Sequence, residues 1–462
     1  MYPLILAGGF RLFGESMMLG KIISALSAVL ALLLAARLMK SEKRAALWST
    51  LAVYAALPTG FLCAVRSSSD WTFIAFSFAF LLLLKRMESQ RTVWLAILTG
   101  LTLGAAALTR HVGVLLGAAV TAHALRLIWL AFRAKKAFLP GVFIGVWPEA
   151  IVAFLGASLW LSWTVYLKMA PPDTVAPGLY DALGGSLMNQ FHLAELFSAV
   201  GDYFGQLPNI MEKAGLADSL AETIIYLLLG GIVVTGWVRS IRNKEGVFRA
   251  TDYYVLAYLT VISLYEWKLP RFLIPLGPWL ILYFLDGFTF LSQRLIPKRL
   301  SLSLLAPQRL TPTVAALWCT VALLADAALI FLGHPGKLHG PLCVLRSTTQ
   351  EQFYGPFYRE LLEAGKLLSK LPDTTIVGTQ GFYANYLHMF SGRPCLDPRL
   401  YKETPDVYVQ IQDYDEGYRL PGDAWREVFA KGRVRIVIAN QFPWEAIVEN
   451  RHSLSLPLPV GP

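Results

Sequence analysis

Charge is scarce in this chain: 16% of its 462 residues are Asp, Glu, Lys or Arg, whereas a soluble domain carries about 25%. With 55% hydrophobic residues arranged in long runs, the sequence excludes an ordinary soluble enzyme and fits a polytopic membrane protein. Cysteine is sparse as well, at four residues with no CxxC pair, which excludes a disulfide-dense scaffold or a zinc ribbon. HExxH, the phosphate-binding loop and the dinucleotide fingerprint are missing, and the seven histidines show no metal-ligand spacing. No local pattern therefore supports a metal site or another cofactor, although a divalent cation held by distant acids is left open. There is no internal repeat and no low-complexity tract.

Ten apolar segments are expected to span, at about residues 17–38, 47–65, 71–84, 93–109, 112–132, 140–166, 222–238, 252–267, 272–292 and 312–333. The third is short and needs Lys85 and Arg86 to snorkel. The sixth is long and carries Pro148-Glu149, so a kink or dip is expected there, with Glu149 at a water pocket. Bases are retained on the cytoplasmic side of short loops. One set of loops holds eighteen Lys and Arg, while the alternate set holds six: Arg66, Arg110, Lys168, Lys213, Lys268 and Arg271. The first set is assigned to the cytoplasm, which accounts for the net charge of +10 without nucleic acid. Both termini and the loop around Asp70 then lie outside.

No signal peptide precedes Met1-Tyr2-Pro3. The opening stretch Tyr2 to Gly14 is too short to span and is expected flat at the outer interface, with Tyr2 and Phe13 at head-group level. An outside N-terminus without an export signal leads to the expectation that a preceding span is missing. The exterior loop 167–221 mixes Asp173, His192 and Glu195 with apolar residues at helical spacing, as a lid on the membrane surface would. Residues 1–333 thus form the membrane domain, and 340–462 a small extracytoplasmic α/β domain. In the latter, Phe357 to Leu371 reads as an amphipathic helix, and Thr374–Val377 and Val434–Ala439 as strands. Cys63 and Cys319 fall within spans as buried thiols; Cys343 and Cys395, both exterior, are read as a disulfide or as two free thiols.

The exterior charges suggest chemistry. Asp70 follows Arg66-Ser67-Ser68-Ser69 at the start of a span, Arg110-His111 sits in a tight hairpin, and Glu266, Lys268 and Arg271 occupy the next such turn. Gathered at one level, the bases would hold a lipid phosphate, Arg in bidentate fashion and Lys as a point charge. A neighbouring carboxylate would orient or deprotonate an acceptor hydroxyl. Each residue also has a plain reading: Asp70 as a helix N-cap, Arg110 and Arg271 as interface anchors, His111 and His192 as structural.

The runs YPLILAGGFRLFG, SSSDWTF, GAAALTRHVGVLL and KLPRFLIPLGPWLILYFLDG, in this order over residues 1 to about 333, resemble landmarks of GT-C integral membrane glycosyltransferases of the dolichyl-phosphate-mannose and aminoarabinose transferase type. The segment Leu387 to Arg393 is similar to the tail many members carry. The resemblance implies transfer of a sugar from a polyprenyl-phosphate donor to a lipid, glycan or protein acceptor on the non-cytoplasmic face, in a bacterial inner membrane. It implies a catalytic acid at Asp70, donor-phosphate contacts at Arg110, Lys268 and Arg271, and supporting roles for Glu266 and His111. The family's principal acid lies in a first exterior loop ahead of the tract that begins here at Tyr2, so catalysis is the point at which this chain departs from the pattern. Two rival classes stand beside the enzyme: a transporter or flippase of a polar lipid, which calls for a polar path through the midplane, and a non-catalytic subunit that binds polyprenyl lipids.

Overall fold

The computed structural model describes residues 1–14, 17–40, 42–57, 60, 63–64, 68–133, 140–169, 220–243, 250–263, 270–295 and 307–331, and then 355–372, 374–379, 387, 391–393, 395–396, 405–411, 425–432, 434–439, 442–444 and 448. They fall into two compact units, each considered by itself.

The first unit is helical: α1 (Tyr2–Phe13), α2 (Met17–Leu38), α3 (Arg44–Ala55), α4 (Asp70–Met87), α5 (Val93–Thr109), α6 (Leu116–Arg133), α7 (Pro140–Met169), α8 (Leu220–Asn243), α9 (Ala250–Ser263), α10 (Gly277–Leu295) and α11 (Pro307–Phe331). Short 3-10 turns at His111–Leu115 and Pro270–Leu276 lead into α6 and α10. A helix overlaps each of the ten apolar segments. Among the described residues, four stretches are long and apolar enough to cross a membrane: Met18–Leu38, His111–Trp129, Val146–Tyr166 and Arg271–Arg294. The helices carry their apolar surface outward: Leu26, Val29 and Leu33 on α2, Leu98 and Leu101 on α5, and Phe154, Leu161 and Val165 on α7 are all exposed. Water would penalise such a surface, and acyl chains do not.

Polar registration orders the bundle. Ser24 pairs with Ser68, Ser27 Oγ with Thr72 Oγ1 at 3.0 Å, and Lys85 Nζ donates to the Leu38 carbonyl at 3.3 Å, so α2 and α4 run parallel. The last of these contacts satisfies a C-terminal carbonyl of α2. Small residues set the closest approaches. A Cβ on Gly104 would meet Leu159 Cδ1 at 2.4 Å, and one on Gly156 would meet Leu103 Cδ2 at 2.5 Å, which is how α5 and α7 pack so closely. Between α8 and α10, a Cβ on Gly236 would stand 1.8 Å from the Tyr283 carbonyl oxygen and one on Gly287 2.0 Å from that of Ile232. The interior among α3, α4, α9 and α10 is aromatic. Phe78 meets Trp279 edge-on at 5.3 Å, Tyr254 meets Tyr258 at 5.5 Å, and Tyr54 tilts against Trp71 at 5.6 Å.

The second unit has a helix, α12 (Gly355–Leu368), and five strands: β1 (Val377–Thr379), β2 (Cys395–Leu396), β3 (Val407–Ile411), β4 (Trp425–Lys431) and β5 (Val434–Ala439). Their order is β2-β1-β3-β5-β4. The first three are parallel, and β5 and β4 join antiparallel. Leu361, Ala364 and Leu368, at helical spacing on one face of α12, are buried with Val377, Val407, Val409, Ile436 and Ile438, so one apolar stripe covers the sheet.

Several expectations need adjustment. α4 is 18 residues long, because Asp70 and Lys85 to Met87 extend the segment expected at 71–84. α7 is 30 residues long with Pro148 inside it, and Glu149 meets Arg91 and His123. The opening stretch is helical, and Tyr2 is buried, not at a head-group surface; Phe13 is exposed. The amphipathic helix begins at Gly355 and ends at Leu368, and the first strand starts at Val377, where the expected one ended. Cys395 is a free thiol. Cys343, residues 170–219 of the loop expected at 167–221, and Glu266 and Lys268 lie outside the described residues.

Candidate functional site

The site is assembled at the end of the bundle where α4 begins. Ser69 is the N-cap of α4, and Asp70 is its first residue, so Asp70 is not the cap that its place after three serines suggests. An acid in the first turn still suits the helix dipole. Ser68 Oγ donates to Asp70 Oδ2 at 2.5 Å and accepts from the Asp70 backbone N–H at 3.2 Å. The other carboxylate oxygen, Oδ1, forms an ion pair with Arg110 Nη1. Asp70 is 5% exposed, so both of its oxygens are engaged within the protein.

Ser68 is itself held. Ser24 Oγ donates to the Ser68 carbonyl at 3.0 Å and accepts from the Ser68 N–H at 3.0 Å. Tyr2 Oη stands 3.5 Å from the same Ser24 hydroxyl. A polar chain therefore runs from α1 through α2 to the carboxylate. Buried polar groups of this kind persist because each finds a partner.

Arg110 is presented by a break in the helix. It ends α5 with an extended backbone, φ −147° and ψ 133°, and the chain then turns through His111–Leu115. Gly113 lies so close beneath that a Cβ there would meet the Ala106 carbonyl carbon at 2.6 Å. A larger residue would push the turn away from α5 and displace Arg110.

The second turn brings the other arginine. Arg110 Cζ lies 5.4 Å and Arg271 Cζ 5.5 Å from the Phe272 ring centroid, both within cation–π range. Phe272 is thus the common neighbour of two guanidinium groups that are remote in sequence. This turn is anchored by Tyr54, whose Oη donates to the Ile274 carbonyl at 2.9 Å. Of the residues singled out in the sequence, Asp70, Arg110 and Arg271 are brought together. His111 is exposed at the head of the first turn. Ser24, Ser68, Tyr2 and Phe272 join the site although nothing in their local sequence announces it. The dense pairing of Ser24 with Ser68 is a feature of the tertiary register alone.

A second polar cluster lies where α4 ends. Arg91 Nη2 donates to both oxygens of Glu149, at 2.9 and 3.1 Å, and His123 Nε2 is 3.3 Å from the same carboxylate. His123 Nδ1 lies 3.7 Å from Glu88, and Arg126 is 4.0 Å from Glu88. Glu149 and His123 are 2% and 4% exposed, so the pairing is what makes their burial tolerable. Among the described residues no group of three His, Cys, Asp or Glu side chains is placed to hold a metal ion.

Two solved structures are similar to the chain in fold. One is ArnT from Cupriavidus metallidurans in the apo state, 14% identical, with a TM-score of 0.49 over 94% of this chain and 86% of that one. The other is ArnT from the same organism bound to undecaprenyl phosphate, also 14% identical with a TM-score of 0.49, over 96% of this chain and 88% of that one. No protein-family model and no curated protein matches the sequence.

Proposed function

We propose that the protein is a membrane glycosyltransferase that takes a sugar from a polyprenyl-phosphate-linked donor and passes it to a hydroxyl on a lipid, glycan or protein acceptor at the non-cytoplasmic face. The observation that carries this reading is the convergence of Asp70, Arg110 and Arg271 around Phe272 at one end of an apolar bundle. Two guanidinium groups there are suited to a phosphate head group whose prenyl chain lies along the outward apolar faces. The departing polyprenyl phosphate needs cationic stabilisation more than a proton, which Arg110 and Arg271 supply, with Lys268 assigned to the same role. Once a phosphate draws Arg110 away, Asp70 Oδ1 is released and can accept the proton of the acceptor hydroxyl. Ten spans, a bacterial inner membrane and an exterior second unit complete the reading.

One observation favours the non-catalytic alternative. Both oxygens of Asp70 are engaged, an arrangement that also serves a protein which only binds the lipid. Proteoliposomes supplied with a radiolabelled polyprenyl-phosphate sugar and a mixed acceptor extract separate the two. Label transferred by the wild type and lost in Asp70→Asn supports the enzyme; donor retention with no transfer by either supports the binding protein.

A further inference from the structure

Arg239 and Arg294 converge on one ring. Arg239 Cζ lies 4.9 Å and Arg294 Cζ 4.8 Å from the Phe290 centroid, both within cation–π range. Arg239 belongs to α8, while Phe290 and Arg294 belong to α10. Gly236 and Gly287 bring the backbones of these helices together, and Arg239 follows Gly236 by three residues as Phe290 follows Gly287. The two helices therefore run in the same direction and end side by side. Arg271 and Arg294 bound a single apolar stretch long enough to cross a membrane, so this pair sits at the opposite end of that span from Arg110, Arg271 and Phe272.

The last turns of a helix favour a base, which accounts for one arginine on either helix. It does not account for two from different helices at one ring, where like charges repel. Among the described residues neither guanidinium meets a carboxylate. The ring face compensates in part, and an anion between the arginines would supply the rest. The surface of α8 leading to them suits an acyl chain. Ile224, Leu228, Val234 and Val238 are exposed and fall on one face at the helical repeat, and the exposed Arg242 ends that same face. We propose that the ends of α8 and α10 form a site for an anionic glycerophospholipid. Arg239 and Arg294 hold its phosphate, for which the planar guanidinium fork is suited, and an acyl chain lies along the exposed face of α8. Basic recesses between spanning helices recognise lipid head groups in this way. The site depends on the membrane span and not on the transferase reading.

The test titrates the full chain in detergent with phosphatidylglycerol, zwitterionic phosphatidylcholine or inorganic phosphate and reads bound ligand by native mass spectrometry. The wild type is expected to prefer phosphatidylglycerol. Arg239→Gln and Arg294→Gln are each expected to weaken its binding about tenfold or more, with phosphatidylcholine uptake unchanged. Phe290→Leu keeps both charges but removes the ring that gathers them, and is expected to give a smaller loss in the same direction. Should a glutamine variant fail to fold, Arg239→Lys and Arg294→Lys replace it, since each keeps the charge without the fork and is expected to lose part of the affinity. Arg37→Gln, which removes an exposed base from the last turn of α2, is the control and is expected to bind as the wild type does. An equal loss in Arg37→Gln would reveal only a general attraction of basic helix ends and overturn the site. Wild-type affinity in folded Arg239→Gln and Arg294→Gln would overturn it too. Inorganic phosphate bound as tightly as phosphatidylglycerol would assign the arginines to a free anion and overturn the lipid.

Discussion

Tyr54 donates its hydroxyl to the carbonyl of Ile274, 220 residues further along the chain, at 2.9 Å. This one bond ties α3 to the turn that carries Arg271 and Phe272, and its ring fills the space above Gly277, where a Cβ would stand 2.4 Å from Tyr54 Cε2. Tyr54→Phe keeps the ring and removes the donor. It is expected to cost about 1–3 kcal/mol, as a buried acceptor is left unsatisfied, and to weaken polyprenyl phosphate binding by letting the turn move. Thermal unfolding in detergent and lipid binding on the same preparation check both effects.

The Arg91–Glu149 pair makes a prediction of non-additivity. Arg91→Ala leaves a buried carboxylate with only His123 beside it, and is expected to destabilise by about 3–5 kcal/mol. Glu149→Gln in the same background is expected to recover part of that loss, since the uncompensated charge is gone. A double-mutant cycle on unfolding midpoints measures it. Simple addition of the two single effects would mean that Arg91 and Glu149 do not act as a pair.

The contact of α8 with α10 depends on Gly236 and Gly287. Added methyl groups would stand 1.8 and 2.0 Å from backbone oxygens, which no side-chain rotation relieves. Gly236→Ala and Gly287→Ala are each expected to destabilise by roughly 1–3 kcal/mol or more. Gly8→Ala, with open space around its Cβ inside α1, serves as the control and is expected to be neutral or to stabilise by up to about 1 kcal/mol.

In the second unit, burial pushes the Cys395 thiol up to about 12, against a smaller opposing effect of its hydrogen bond with Ser391. The thiolate is the reactive species. At pH 8 the folded protein is expected to alkylate Cys395 at least a hundredfold more slowly than the unfolded chain, and the rate should rise as the pH is raised toward the folded value. Iodoacetamide labelling followed by peptide mass spectrometry, with and without denaturant, gives the comparison. Equal rates in both states would contradict the burial.

Helices were legible wherever apolar runs were long, because hydrophobic burial and backbone satisfaction in lipid leave few alternatives to a helix. Asp70, Arg110 and Arg271 could be singled out because charges interrupting such runs are costly. Glu149 carries the same signal. Its partners Arg91 and His123 come from the turn before α5 and from α6, and helix register is not encoded in local periodicity. Phe272 is adjacent to Arg271, yet an aromatic beside a membrane interface is too common to mark a site. The sheet order β2-β1-β3-β5-β4 was equally hidden, because short strands such as Cys395–Leu396 lack any periodic signature.

On the proposed function, Arg110 answers to a phosphate and is held by Asp70 until one arrives. Titration of polyprenyl phosphate into nanodiscs holding wild type, Arg110→Ala or Asp70→Asn tests it most directly. Affinity is expected to fall about tenfold or more in Arg110→Ala and to rise in Asp70→Asn, where the competing carboxylate is neutral, with sugar transfer lost in both. Unchanged affinity in Arg110→Ala, or weaker binding in a folded Asp70→Asn, would contradict it.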